Sequence, residues 1–262
     1  MGTKAQSSVR GAKRALGKAA ESRAASAAAT SEELPEDELT QMVQRACLIA
    51  RDAVFNVRDS IATGSRLAFL AIKDCEKELD QIERKIDEQL PGAITRVGEA
   101  KARELLACLK FITDLERIGD LAYSAVMQLQ SRREKLPAAD SRQLVEMASL
   151  LCEMLEEVHQ GFLTRELAHG QSVLQADAKV DALCHGLFQR HLAATGTARA
   201  SAGTAAGAAA RANIGGAQNF DILLAAQALE RIGDHAKNLA EEVCGLAEGR
   251  SLRHNTRKLT YS

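Results

Sequence analysis

The residues Leu115-Glu116-Arg117-Ile118-Gly119-Asp120 recur unchanged as Leu229-Glu230-Arg231-Ile232-Gly233-Asp234. Each copy spaces a glutamate and an aspartate four residues apart, which on a helix stacks the two carboxylates one turn above the other on a single face. Like charges so placed repel. An arrangement kept twice therefore implies a bound positive charge: a metal ion, a basic partner, or an arginine from a neighbouring helix. Glu76 with Asp80 and Asp177 with Asp181 share the same spacing. Oxygen donors in this pattern suit hard cations such as Mg, Mn, Ca or oxidised iron. Asn238, one turn beyond Asp234, lengthens the oxygen stripe of the second copy, whereas Ser124 stands at the matching place in the first. His185, one turn beyond Asp181, adds a nitrogen suited to a transition metal.

A single E-x-x-x-D is ordinary on a helix, because outward acids are usually solvated, and Arg117 and Arg231 are placed to form surface ion pairs worth little. Repetition with identical flanks is what raises the pattern above that background. Gly119 and Gly233 point the same way. Each costs about 1 kcal/mol relative to alanine in a helix interior, and a glycine there permits close approach of another backbone. No G-x-S-x-G, phosphate loop or H-E-x-x-H occurs, and nothing marks a nucleophile, so no catalytic residue is assigned.

The elements that must position these acids are helices. Aromatics make up 3% of the 262 residues and tryptophan is missing, so the core must be filled by Leu, Ile, Val, Ala and Met, which suits packed helices better than sheets. Apolar residues recur at helical spacing over about 36–63, 65–90, 93–136, 139–167, 171–192 and 217–248. The three prolines, Pro35, Pro91 and Pro137, fall between these runs and are expected to end or begin helices. In the third run Cys108, Phe111, Leu115, Ile118, Ala122, Ala125 and Leu129 alternate in steps of three and four, and Ala225, Leu229, Ile232, Ala236, Leu239, Val243 and Leu246 do so in the last. Such seams want two neighbouring helices each. With Leu115 and Ile118 on the seam, Glu116 and Asp120 fall on the outward face, as do Glu230 and Asp234, and these acids are expected to lie outside the core.

The expectation is an all-α protein of two pseudo-symmetric three-helix bundles, over 36–137 and 138–250. The step from 76 to 177 is shorter than that from 116 to 230. The difference falls in 195–216, which is mostly Ala, Gly, Thr and Ser with few large apolar residues, and reads as a mobile linker inserted in the second half. The first thirty residues carry Lys4, Arg10, Lys13, Arg14, Lys18 and Arg23 against the single acid Glu21, in an Ala- and Ser-rich context. A disordered basic tail over 1–35 follows, although an Arg-rich organelle presequence shares that composition. A basic tail is also expected over 251–262. Net charge is -1 overall, which argues against nucleic acid as a partner. No run is long enough to span a bilayer or serve as a signal core. Six cysteines without paired spacing (Cys47, Cys75, Cys108, Cys152, Cys184, Cys244) read as reduced, mostly buried thiols in a cytoplasmic protein.

The stretches Asp114-Leu-Glu-Arg-Ile-Gly-Asp120 and Leu229-Glu-Arg-Ile-Gly-Asp-His-Ala-Lys-Asn-Leu-Ala-Glu241 closely resemble the signature of the PhoU family of phosphate-transport accessory and regulatory proteins. The resemblance covers most of residues 37–248 and implies two three-helix bundles with metal ions or clusters held on one face. Carried over by position, the metal residues would be Glu76, Asp80, Glu116 and Asp120 in the first half, and Asp177, Asp181, Glu230, Asp234 and Asn238 in the second. Iron, Mn or Mg is the implied cofactor. With Asn238 facing Ser124 across the repeat, the second site is expected to bind the tighter. The resemblance further implies docking on the ATPase of the high-affinity phosphate ABC transporter and on a sensor histidine kinase. Both phosphate uptake and starvation-gene expression would fall when phosphate is plentiful. A cytoplasmic homodimer, recruited to the inner face of the membrane only through its partners, is expected. Two other functions fit the same residues: a carboxylate-bridged metal-dependent phosphohydrolase, because paired acids with a hard metal activate water, and a metal-free helical adaptor.

Overall fold

A computed structural model of the chain describes residues 36–130, 135–200 and 205–248, with side chains over 38–130, 135–193 and 220–248. The tails expected over 1–35 and 251–262 lie outside these residues. Six helices and no strand make up the described part: α1 Glu36–Thr63, α2 Arg66–Ile94, α3 Glu99–Gln130, α4 Ala138–Thr164, α5 Leu167–Ala200 and α6 Ala205–Ala247.

The connections are built from short-range chemistry. Gly64 turns the chain between α1 and α2 at φ 70°, in the left-handed region that costs glycine nothing. Ser65 then caps α2, its hydroxyl accepting from the Ala68 N–H at 3.2 Å. Pro137 immediately precedes α4, where a missing N–H and a fixed φ suit a helix start. Helix α4 ends on Arg165 at φ 61°. An arginine in that conformation needs support, and its guanidinium stacks over Phe162 at 4.6 Å and donates to Glu104 at 3.1 Å.

Two expectations about boundaries are corrected. Pro91 does not end α2, which runs one further turn to Ile94 with the proline inside it. Only the carbonyl one turn back loses its donor, and it belongs to the exposed Asp87, where water serves. Residues 195–200 and 205–216 are helical, extending α5 and α6, in place of the linker read from the sequence; residues 201–204 lie outside the description. Alanine is the strongest helix former, and here local propensity outweighs the shortage of large apolar anchors.

The pairing of helices follows the repeat. Helices α1, α2 and α3 all touch one another, and so do α4, α5 and α6; the two groups meet along α1 against α4 and along α3 against α6. The four helices α1, α3, α6 and α4 thus close a ring, with α2 flanking one side and α5 the other. A single apolar cluster runs through all six, from Leu39 and Val43 to Leu239 and Val243. Of the third-run seam, Cys108, Phe111, Leu115, Ile118, Ala122 and Ala125 are fully buried. Phe111 and Phe162 pack rings at 4.6 Å where the two groups meet.

Candidate functional site

The repeated acids lie in two grooves, one between α2 and α3 and one between α5 and α6. In the first, Gly119 lets α2 come close: a β-carbon there would stand 2.7 Å from Leu79 Cδ1 and 3.5 Å from the Glu76 Cα. That approach brings Asp80 and Glu83 of α2 beside Glu116 and Asp120 of α3. Glu116 is not fully outward, its side chain being 16% exposed. Burial pushes its carboxyl above the usual range, and the charges of Asp120, Glu83 and Asp80 push further, with Arg117 opposing. Glu83 is raised for the same reasons, burial first and then Asp87. Glu83 stands in an E-x-x-x-D pair with Asp87, but the matching places in the second half hold Cys184 and Phe188, so repetition does not single it out. Arg84 pairs with Asp80, and Arg117 stands 3.6 Å from Glu116 and 3.9 Å from Asp120. Both arginines are largely exposed.

The second groove holds Glu230 and Asp234 of α6 against Asp177 and Asp181 of α5. Burial raises the Glu230 carboxyl, followed by the charges of Asp234, Asp181 and Asp177. Asp181 is raised by burial and then by Asp177 and Asp234. Asp177, for which the seam gave no expectation, is only 4% exposed. Its Oδ2 accepts from Lys237 Nζ at 2.7 Å, while its Oδ1 is buried without any hydrogen-bond partner. The heptad reading placed acids of α6 correctly but said nothing of α5, whose weak amphipathic pattern hid which side faces in. Gly233 has more room than Gly119. A β-carbon there would meet Asp177 Oδ1 and Leu151 Cδ2 at 3.5 Å, ordinary contact distances.

The donor chemistry fits a hard cation, and the partnerless Asp177 Oδ1 is an oxygen that such an ion would satisfy. The side chains as they stand are turned toward Arg84, Arg117 and Lys237. Among the described residues no three His, Cys, Asp or Glu side chains converge closely enough to hold one ion. Asn238 and Ser124 are each half-buried one turn past Asp234 and Asp120. His185 is exposed, its Nε2 2.8 Å from Gln189 Nε2, and shares a shallow hollow with Asp181, Cys184 and Glu230.

Long-range polar pairs that no local pattern announces tie the two helix groups together. Arg51 of α1 bonds Glu156 of α4 at 2.5 Å. Lys110 of α3 donates to both oxygens of the buried Glu242 of α6, at 2.9 and 3.0 Å. His235 Nδ1 lies 2.9 Å from Asp114 Oδ1 across the same pair of helices. A hollow of about 1130 Å³ between α3, the end of α6 and Arg165 shares no residue with either acid cluster. The thiols are poor nucleophiles: burial pushes Cys75, Cys108, Cys152 and Cys184 up to about 11. All six cysteines are free, as expected. No described helix is long and apolar enough to cross a membrane.

Comparison with known proteins places this geometry. A family profile described as the PhoU domain matches twice, over residues 43–129 and 144–243, so each half of the chain carries one copy and each copy includes one hexapeptide. A phosphate-specific transport system accessory protein PhoU homolog from Burkholderia is 29% identical over 187 residues, covering 68% of this chain and 72% of its own length. A PhoU homolog 1 from Thermotoga maritima is 23% identical over 224 residues, covering 83% of this chain and 90% of its own. The crystal structure of PhoU from Pseudomonas aeruginosa superposes with a TM-score of 0.68 at 22% identity, over 81% of this chain and 97% of that one, a likeness of fold.

Proposed function

The chain belongs to the PhoU family, and from that premise we propose that it is a non-enzymatic regulator that restrains phosphate uptake and phosphate-starvation signalling. Relatives are named as accessory proteins of phosphate-specific transport. Its expected partners are the ATPase subunit of a phosphate ABC transporter and a sensor histidine kinase, met in the cytoplasm at the inner face of the membrane.

The observation that carries this reading is the pair of acid-rich grooves at equivalent places in two copies of one domain. Carboxylates in both grooves are held above their usual range by burial and by one another, so each groove favours uptake of positive charge. In the first half Glu76, Asp80, Glu116 and Asp120 would hold an iron, Mn or Mg ion, and in the second Asp177, Asp181, Glu230, Asp234 and Asn238. Bound there, a divalent ion would offset about half of the negative charge of each set and fix the acids in one arrangement for a partner to read. The chain's own residues position that surface: Gly119 admits α2, and Arg84 and Arg117 must swing away for the acids to converge. A metal-free adaptor is the second reading, favoured by the same Arg84, Arg117 and Lys237 pairs, which already supply cations.

The test is binding of the full chain to the purified ATPase subunit and to the kinase's cytoplasmic part, with Mn(II) or with chelator. Glu116→Gln, Asp120→Asn, Glu230→Gln and Asp234→Asn together should weaken binding while helix content stays constant. No binding to either partner, or hydrolysis of phosphoesters at enzyme rates, would refute the proposal.

A further inference from the structure

The second groove already contains a cation. Lys237 Nζ bonds Asp177 Oδ2 at 2.7 Å, and it also feels the charges of Asp181 and Asp234. Its partner is no ordinary surface acid: Asp177 is 4% exposed, and its other oxygen, 3.5 Å from the place a Gly233 β-carbon would take, is buried without a partner. A charge-assisted bond to a buried carboxylate is stronger than an exposed ion pair. The first groove lacks this device. The residue seven beyond Glu116, where Lys237 stands relative to Glu230, is Tyr123, and its ring packs on Phe69 at 5.9 Å. The first groove's cations are Arg84, hydrogen-bonded to the half-buried Asp80, and Arg117, with side chains 68% and 58% exposed against 42% for Lys237, and Arg117 sits too far from Glu116 and Asp120 for a hydrogen bond.

We propose that Lys237 is a built-in competitor for a divalent metal in the second groove, so that the duplicated sites are unequal: the first fills first, and the second fills only as the Lys237 ammonium leaves Asp177. The inference rests on the reading that the grooves take a metal. It reverses the order expected from Asn238, because the oxygen that Asn238 adds is neutral whereas the ammonium occupies a charged donor. The buried Asp177 Oδ1 is the donor an incoming ion gains, and Oδ2 is the one it must take from Lys237.

The experiment titrates Mn(II) into the full chain carrying Glu116→Gln and Asp120→Asn, so that only the second groove binds, and compares it with the same chain carrying Lys237→Gln. Glutamine keeps a donor for Asp177 and removes the charge. Mn(II) affinity should rise at least about tenfold, as expected for deleting one close competing charge in a partly screened site. Melting without metal should fall in the Lys237→Gln chain, with Mn(II) raising it more than in its parent. Lys237→Met gives the same comparison should the glutamine chain fold poorly. Equal Mn(II) affinity with and without Lys237, at a measurable second site, overturns the inference and leaves the metal reading standing. Absence of Mn(II) binding in the otherwise unaltered chain as well would refute both.

Discussion

Gly119 and Gly233 occupy the same place in identical six-residue contexts, and both are buried in helix interiors. Alanine at either gains the same intrinsic helix propensity, about 0.8–1 kcal/mol, so the difference between the two substitutions isolates packing. At Gly119 the new carbon would stand 2.7 Å from Leu79 Cδ1, the end of a completely buried side chain that would have to change rotamer among buried neighbours. Overpacking of this kind costs about 1–3 kcal/mol. At Gly233 the nearest atoms are at 3.5 Å or more, an ordinary contact, and Asp177 Oδ1 beside it is already out of water. Gly233→Ala should therefore stabilise by up to about 1 kcal/mol, and Gly119→Ala should be neutral or destabilise by up to about 2 kcal/mol. Urea unfolding followed by circular dichroism, in chelator and at constant slope, reads both. A Gly233→Ala chain as destabilised as its counterpart, or a Gly119→Ala chain that gains stability, would refute the packing argument.

Asp120→Asn and Asp234→Asn should each lower bound Mn(II), measured by isothermal titration; unchanged stoichiometry in the double substitution contradicts the metal assignment. Without metal, the same substitutions should raise the melting temperature at neutral pH. Glu116, Glu230 and Asp181 have folded values above their unfolded ones, so their contribution is fully present below the usual carboxylate range and is lost as pH rises through the folded values. The gain from substitution should then shrink as pH falls below that range, and a gain independent of pH would speak against it. Glu156 runs the other way, held low by Gln160 and Arg51, so Glu156→Gln should cost most above the usual carboxylate range and least in acid, in pH-dependent melts. Lys110→Met, which removes two bonds to the buried Glu242 between α3 and α6, should destabilise by about 1.5–3 kcal/mol in urea unfolding.

Apolar periodicity made the helices and their inward faces legible: Leu115, Ile118, Leu229 and Ile232 are buried where the three-four alternation put them. Periodicity says which face is covered, and not by which helix. The ring of α1, α3, α6 and α4 therefore could not be read, nor could Arg51 with Glu156 or Asp114 with His235, whose partners are over a hundred residues apart in the chain. Pro91 inside α2 and the helical 195–200 and 205–216 were not legible because single-residue rules were given more weight than context: a proline in a last turn breaks little, and alanine needs no anchor to be helical. The acid pairs were legible from repetition, but the burial of Asp177, the addition of Glu83 and the presence of Lys237 in the groove depend on how α5 and α2 lie against their neighbours.

The most direct test of the regulatory role is phosphate uptake in a strain lacking this chain, measured in phosphate-rich medium and after complementation. Uptake and starvation-gene expression should stay high in the deletion strain and fall when the unaltered chain is restored. The chain carrying Glu116→Gln, Asp120→Asn, Glu230→Gln and Asp234→Asn should not restore control, though it accumulates as a folded protein. Normal repression of uptake in the deletion strain would contradict the account.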